Sequence, residues 1–204
     1  MLLLESYEEH ERHLPSKGRF VIGQFNQDEI VIYQAFKKSI RDYAIEHQKF
    51  GGPDYDFNRH TQLKPSFLWM MYYSGWAQKT DQEYVLAITL TTAGFEELLS
   101  SAILAEKGSE ATDAPVSIHW ESYHDLFGNK TDRMAAKIVL KGEALEKYNN
   151  EWIQSIEDIS DYVQEQQALL KSNKVGEIRV PRERAYAPED LTVLRRLQAT
   201  NISL

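Results

Sequence analysis

The sequence predicts an α+β fold, a central, largely antiparallel sheet flanked by helices. Three observations carry that expectation. Runs of β-branched and aromatic residues recur at 20–25, 30–36, 84–90, 116–120 and 135–140. Between and after them, apolar residues fall at helical spacing. At 204 residues, 42% hydrophobic and 11% aromatic, the chain holds enough apolar material for one core. Residues 1–18 read as an N-terminal arm or short edge helix, and residues 19–204 as a single domain with C-terminal helices and a basic tail.

The bulk numbers exclude several function classes. With 23 basic and 31 acidic residues the net charge is −8, which argues against a general, charge-driven binder of nucleic acid or membranes. There are no cysteines, so disulfides, thiolate catalysis and Cys-type zinc sites are out. No apolar run reaches a membrane span. Met1-Leu2-Leu3-Leu4 is too short for a leader and runs into Glu5, Glu8 and Glu9. The expectation is a soluble, cytoplasmic protein.

Each element has its own signal. Phe20–Phe25 and Ile30–Phe36 flank the turn residues Asn26-Gln27-Asp28 and read as strands of one hairpin. Ser39 can cap a helix to about Lys49, stopped by Gly51-Gly52-Pro53. Residues 51–63 read as loop. Pro65 suits the first turn of a helix that runs to Ser74 and ends at Gly75. Tyr84–Leu90 lacks alternation, which predicts a strand buried on both faces. Thr92 caps a helix carrying Phe95, Leu98, Leu99 and Ile103. Lys107–Pro115 reads as loop. Val116–Trp120 alternates, with Val116, Ile118 and Trp120 on one face. A turn at Phe127–Lys130 precedes the strand Ala135–Leu140. Gly142 opens a helix with Leu145, Tyr148, Trp152 and Ile156 at helical spacing. Another helix starts near Asp161. From Gly176 the chain is an extended basic segment with Arg179, Arg182 and Arg184.

The densest stretch is Lys64–Trp76, with five aromatics and two methionines in thirteen residues. Together with Val31–Phe36, Val85–Ile88, Trp120 and the Arg182-Glu183-Arg184 to Pro188 tail, it resembles the bacterial and fungal domain-of-unknown-function 4291 family. The resemblance covers nearly the whole chain from Arg19 onward. It departs from the family pattern at Tyr73, where a basic residue is common, and at His119, where an amide is common. That family carries no established activity to transfer.

Candidate site residues gather around this stretch. Arg59, His60 and Lys64 precede a helix N-terminus, an arrangement suited to a phosphate or carboxylate, with Ser66 able to donate. The plainer reading is a solvated basic loop with Ser66 as a local cap. Trp69, Tyr72, Tyr73 and Trp76 can stack a base or nicotinamide ring, and their spacing also fits an ordinary core face, the plainer reading for most of them. Gln34, between Tyr33 and Phe36, either faces a ligand or bonds a loop backbone. His119 and Glu121 project opposite Trp120 and can polarise a substrate hydroxyl; the plainer reading, above all for His119, is an exposed strand face. Two such ligands are too few for a metal, and none is expected.

The element order from Ile30 to Leu90 also resembles the front half of ADP-ribosyltransferase-like folds. That likeness implies Gln34 in the first catalytic motif, where the fold usually has His or Arg, Ser66 in the second and Glu121 in the third. It implies NAD between them, lined by Tyr33, Trp69, Tyr72 and Trp76, with phosphates near Arg59 and Lys64 and an RNA or protein acceptor. The competing reading is a non-catalytic module that binds a nucleotide, an RNA end or a protein partner through the aromatic segment and the basic tail.

Overall fold

A computed structural model describes residues 2–105 and 113–200. Most of the loop expected at Lys107–Pro115 lies outside the described residues. The chain is α+β, built as two sheets with a small ribbon beside them. The larger sheet contains β2 (Gly18–Gly23), β4 (Thr61–Leu63), β6 (Ile103–Leu104), β7 (Val116–His124), β8 (Lys130–Leu140) and β11 (Arg184–Tyr186), in the order β11-β2-β8-β7-β6. β4 pairs antiparallel with the end of β8, along the edge whose earlier part takes β2 in parallel. The smaller sheet is antiparallel, β3 (Glu29–Phe36), β5 (Tyr84–Thr91) and β9 (Ile153–Asp158) in the order β3-β5-β9. β1 (Leu4–Ser6) and β10 (Arg179–Pro181) form the ribbon.

Two expected connections come out differently. β2 and β3 are not a hairpin but lie in separate sheets. Their ends are linked by the bridge of Phe25 to Ile30 and by the bonds from Val31 N–H to Gln24 C=O and from Asn26 N–H to Glu29 C=O. Neither run alternates, so nothing local sets a mutual register. β3 instead pairs along all eight of its residues with β5. The helix expected from Gly142 through Ile156 stops early. α5 (Glu143–Lys147) runs into a π-turn at Tyr148–Trp152, and the chain then becomes β9, where Ile156 sits opposite Ile88. The open edge of β5 overrides the helical spacing, because unpaired backbone beside a buried strand is costly.

Smaller departures follow the same logic. The 51–63 loop ends in β4, taken up by the free edge of β8. The basic tail packs on the fold through its backbone, β10 pairing with β1 and β11 with β2, while the side chains of Arg179 and Arg182 stay exposed. The N-terminal residues form β1 and α1 (Tyr7–His13), capped by Ser6, whose hydroxyl accepts from the Glu9 N–H. The other helices are α2 (Lys38–His47), α3 (Phe67–Ser74), α4 (Thr92–Ser101, capped by Thr91), α6 (Ser160–Lys171) and α7 (Thr192–Arg196). None among the described residues is long and apolar enough to cross a membrane.

The sheets bury both faces, and each face has its own core. One gathers Ile30, Ile32, Leu86, Ile88, Ile118, Ile138 and Phe95. The other gathers Tyr33, Val85, Ala87, Tyr123 and Ala135 under α3, whose Phe67, Leu68, Trp69, Met70 and Met71 are all buried. A helix apolar on nearly every side is one the rest of the fold closes around.

Candidate functional site

The start of α3 is fixed from three directions. Tyr33 N–H donates to Lys64 C=O (2.8 Å), which ties the smaller sheet to the end of β4. Gly23 packs against Pro65, and a side chain at that glycine would come within 3.3 Å of the proline. The helix N-terminus is then capped from the tail. Phe67 N–H donates to the Glu183 carboxylate (2.6 Å), and the Ser66 hydroxyl donates to its other oxygen (3.3 Å). Glu183 is fully buried, and that burial pushes its carboxyl well above the usual carboxylate range. At the far end Gly75, at φ 60°, closes the helix with its N–H.

Lys64 comes one residue after the last β4–β8 pair, Leu63 with Ile138. It therefore lies level with Lys137, whose cross-strand neighbour on β7 is His119. Period-two alternation turns Lys137, His119 and Glu121 to the face covered by α3, the same face as Tyr123 and Ala135. A row of polar groups thus crosses an otherwise apolar face. Lys137 Nζ pairs with Glu121 Oε1 at 2.5 Å, and His119 Nε2 bonds Ser117 Oγ at 3.2 Å.

Lys64 itself is 4% exposed. Its Nζ lies 4.0 Å from the Tyr73 ring centre and 5.2 Å from that of Trp69, and those two rings stack at 5.4 Å. Its ammonium donates a hydrogen bond to Gln62 Oε1 at 3.3 Å. Among the described residues no carboxylate forms an ion pair with it, because Glu121 is taken by Lys137. Burial first, then the Lys137 charge, lower its pKa to about 7; Glu121 pulls the other way, and Lys79 adds a smaller downward push. Lys64, Tyr73, Gln62, Gln34, His60 and Gln82 line a cleft of about 190 Å³. Burial, with Lys137 second, lowers His119 as well.

The other expected site residues separate. Gln34 lines the same cleft, but its amide is fully engaged. It donates to Thr61 Oγ1 and Gln62 C=O and accepts from the Tyr148 hydroxyl. Ser66 is buried against Glu183. Tyr33 is buried in the core under α3. Arg59 is exposed on its loop. The aromatic set divides: Tyr73 lines the Lys64 cleft, and Trp69 is buried, stacked against Tyr73. Tyr72 and Trp76 line a second cleft of about 310 Å³ with Phe127 and Leu170, where Tyr72 stacks on His124.

Two important residues were not singled out from the sequence. Lys137 has a visible signal, a lysine inside the apolar run Ala135–Leu140. Glu183 has none, since an acid between two arginines reads as a solvated charge run.

A family model described as a domain of unknown function, DUF4291, matches residues 20–186, from β2 to the last residue of β11. No curated protein matches the chain.

Proposed function

We propose, from the premise that this chain belongs to the DUF4291 family, that the Lys64 cleft is the centre of an enzyme of ADP-ribosyltransferase-like type, acting with NAD on a nucleic-acid or protein acceptor. The observation that supports this reading is the grouping of unlike chemistries on one sheet face. The carboxylate of Glu121 pairs with Lys137, and both act on Lys64, whose ammonium lies against the stacked rings of Tyr73 and Trp69. Cleavage of the nicotinamide–ribose bond sends the bonding pair out with nicotinamide and leaves an oxocarbenium-like ribose, which a nearby carboxylate stabilises. The ammonium groups suit the phosphates, and Tyr73 offers a ring to stack on. The cleft is smaller than the roughly 300–1,000 Å³ of ligand pockets, so it takes one ring-and-ribose half, with the rest of the dinucleotide on the open surface.

One observation favours the non-catalytic alternative. Gln34 and Ser66, the residues matched to the first two motifs, are both bonded inside the fold. A binding module would be indifferent at Glu121. The test is calorimetric titration with NAD and ADP-ribose, alongside an assay for released nicotinamide. The enzyme reading expects Glu121→Gln to keep binding within about threefold and lose at least ~100-fold in nicotinamide release, on the scale of one electrostatic contact. No binding of either compound sinks it. Binding without release in the unaltered protein, with affinity lost on Tyr73→Ala, favours the module.

A further inference from the structure

Lys64 carries features that phosphate binding does not require. A lysine used only as a cation does best at the surface, or beside a carboxylate. This one is buried, lacks a counter-ion among the described residues, and ends at the wall of a cleft. Lysine amines become nucleophiles when they are desolvated and set near other cations, because both conditions favour the neutral form with its free electron pair. Lys64 meets both conditions. The groups that face it are Lys137 and Glu121 from the sheet, with His119 beyond Lys137, Tyr73 and Lys79 from α3 and the turn after it, and Gln62 and His60 from the preceding segment.

The one carboxylate nearby is kept away from it. Glu121 would hold Lys64 as an ammonium if the two paired, but its Oε1 goes to Lys137 at 2.5 Å, and among the described residues it forms no ion pair with Lys64. Lys79 is likewise occupied, donating to Tyr73 C=O. With Lys64 neutral, Lys137 and Lys79 against Glu121 still leave a positive surplus that favours an anionic visitor.

We propose that Lys64 is a nucleophilic amine that forms an imine with a small anionic aldehyde or ketone entering this cleft, and that Lys137 is the positioning residue that keeps Glu121 off it. The amine nitrogen adds to the carbonyl carbon, the carbinolamine loses water, and a carbon–nitrogen double bond remains. No redox partner is needed. The inference rests on the Lys64 cleft being the functional centre, as in the reading above, but not on NAD.

The test uses the full chain at pH 7 with glyoxylate as probe. Cyanoborohydride, the reductant, delivers hydride to any imine and fixes it as a carboxymethyl-lysine, located by peptide mass spectrometry. Lys64 should be modified at least ~10-fold faster than the exposed Lys38, since a far larger share of its amine is neutral at that pH. Modification no faster than at Lys38 overturns the proposal. In Lys137→Gln, Glu121 is released to pair with Lys64, and the pH midpoint of labelling should rise by about one unit. An unmoved midpoint removes the positioning role. No dinucleotide is present, so selective labelling with no NAD binding keeps the amine and discards the NAD reading, while NAD binding without selective labelling does the reverse.

Discussion

At the scale of single residues, Lys64 gives the protein a pH dependence whose sign can be worked out. Its pKa is about 7 in the fold and about 10.4 in the unfolded chain. Between those values the unfolded state holds more protons, so stability rises with pH. Below about 7 both states are charged, and the fold bears the full cost of burying an ammonium. Between pH 7 and 9 this group alone should add roughly 2–3 kcal/mol. In Lys64→Met that increment should be missing, and at pH 7 the variant should be no less stable than the parent, since a buried charge is replaced by an apolar chain of similar length. Urea unfolding of both proteins at pH 7 and 9 checks it. An equal slope in both would mean that Lys64 is not the group responsible. The sequence showed only part of this site. Lys64 and the Tyr73–Trp69 pair lay in one conspicuous stretch, and Glu121 was visible from strand alternation. Their meeting with Lys137 depends on register across β4, β8 and β7, which no local pattern sets. Arg59 looked equivalent to Lys64 in the sequence, yet the loop turns it out to solvent.

At the scale of elements, legibility followed how self-contained each signal was. The end of α3 was readable because Gly75 is a local cap. β5 was readable because the seven-residue run Tyr84–Leu90 without clean alternation belongs inside a sheet. β9 and β4 were not, because both are strands only by virtue of the edge that accepts them. The true N-terminal cap of α3 lies 116 residues away, in Glu183. Glu183→Ala should cost about 2–4 kcal/mol, from an orphaned Phe67 N–H and a cavity in the core. Glu183→Gln, which keeps an acceptor without charge, should cost less than half as much. Equal losses in urea unfolding would mean that filled volume, not the cap, is what matters. The π-turn makes a second long-range demand. It lays Trp152 directly over Gly94 of α4, where an added Cβ would fall 2.4 Å from the indole. Gly94→Ala gains helix propensity, yet it should destabilise by roughly 1–3 kcal/mol through overpacking. Near-UV dichroism would show the disturbed tryptophan alongside the lower melting temperature.

At the scale of the whole molecule, the residues before the family match support the site inside it. β1 pairs with β10, and Leu3 C=O accepts from Arg182 N–H, one residue before the Glu183 cap. Glu5 holds Arg184, one residue after it, through both guanidinium nitrogens at 2.6 and 2.8 Å. His10, wholly buried, bonds Pro181 C=O and the Tyr123 hydroxyl. That burial lowers its pKa to about 4, so it is neutral in this contact at ordinary pH. Arg133, also buried, is paired with Glu11 and donates to Pro15 C=O. The first fifteen residues therefore clamp both sides of Glu183, Glu183 caps α3, and α3 roofs Lys64. A chain begun at Arg19 keeps the whole matched span but loses every one of those contacts. If coupling runs along this path, the shortened chain should unfold at lower urea by several kcal/mol, since buried groups lose their partners. Its Lys64 should also react with glyoxylate at the rate of an exposed lysine, because a loosened α3 lets water reach the amine and restores its ordinary basicity. Peptide mass spectrometry on the two chains, each kept well below its unfolding midpoint, measures that directly. A shortened chain that is less stable but still selectively labelled at Lys64 would mean that the sheet and Tyr73 hold the cleft without the clamp. The N-terminal segment would then serve stability alone.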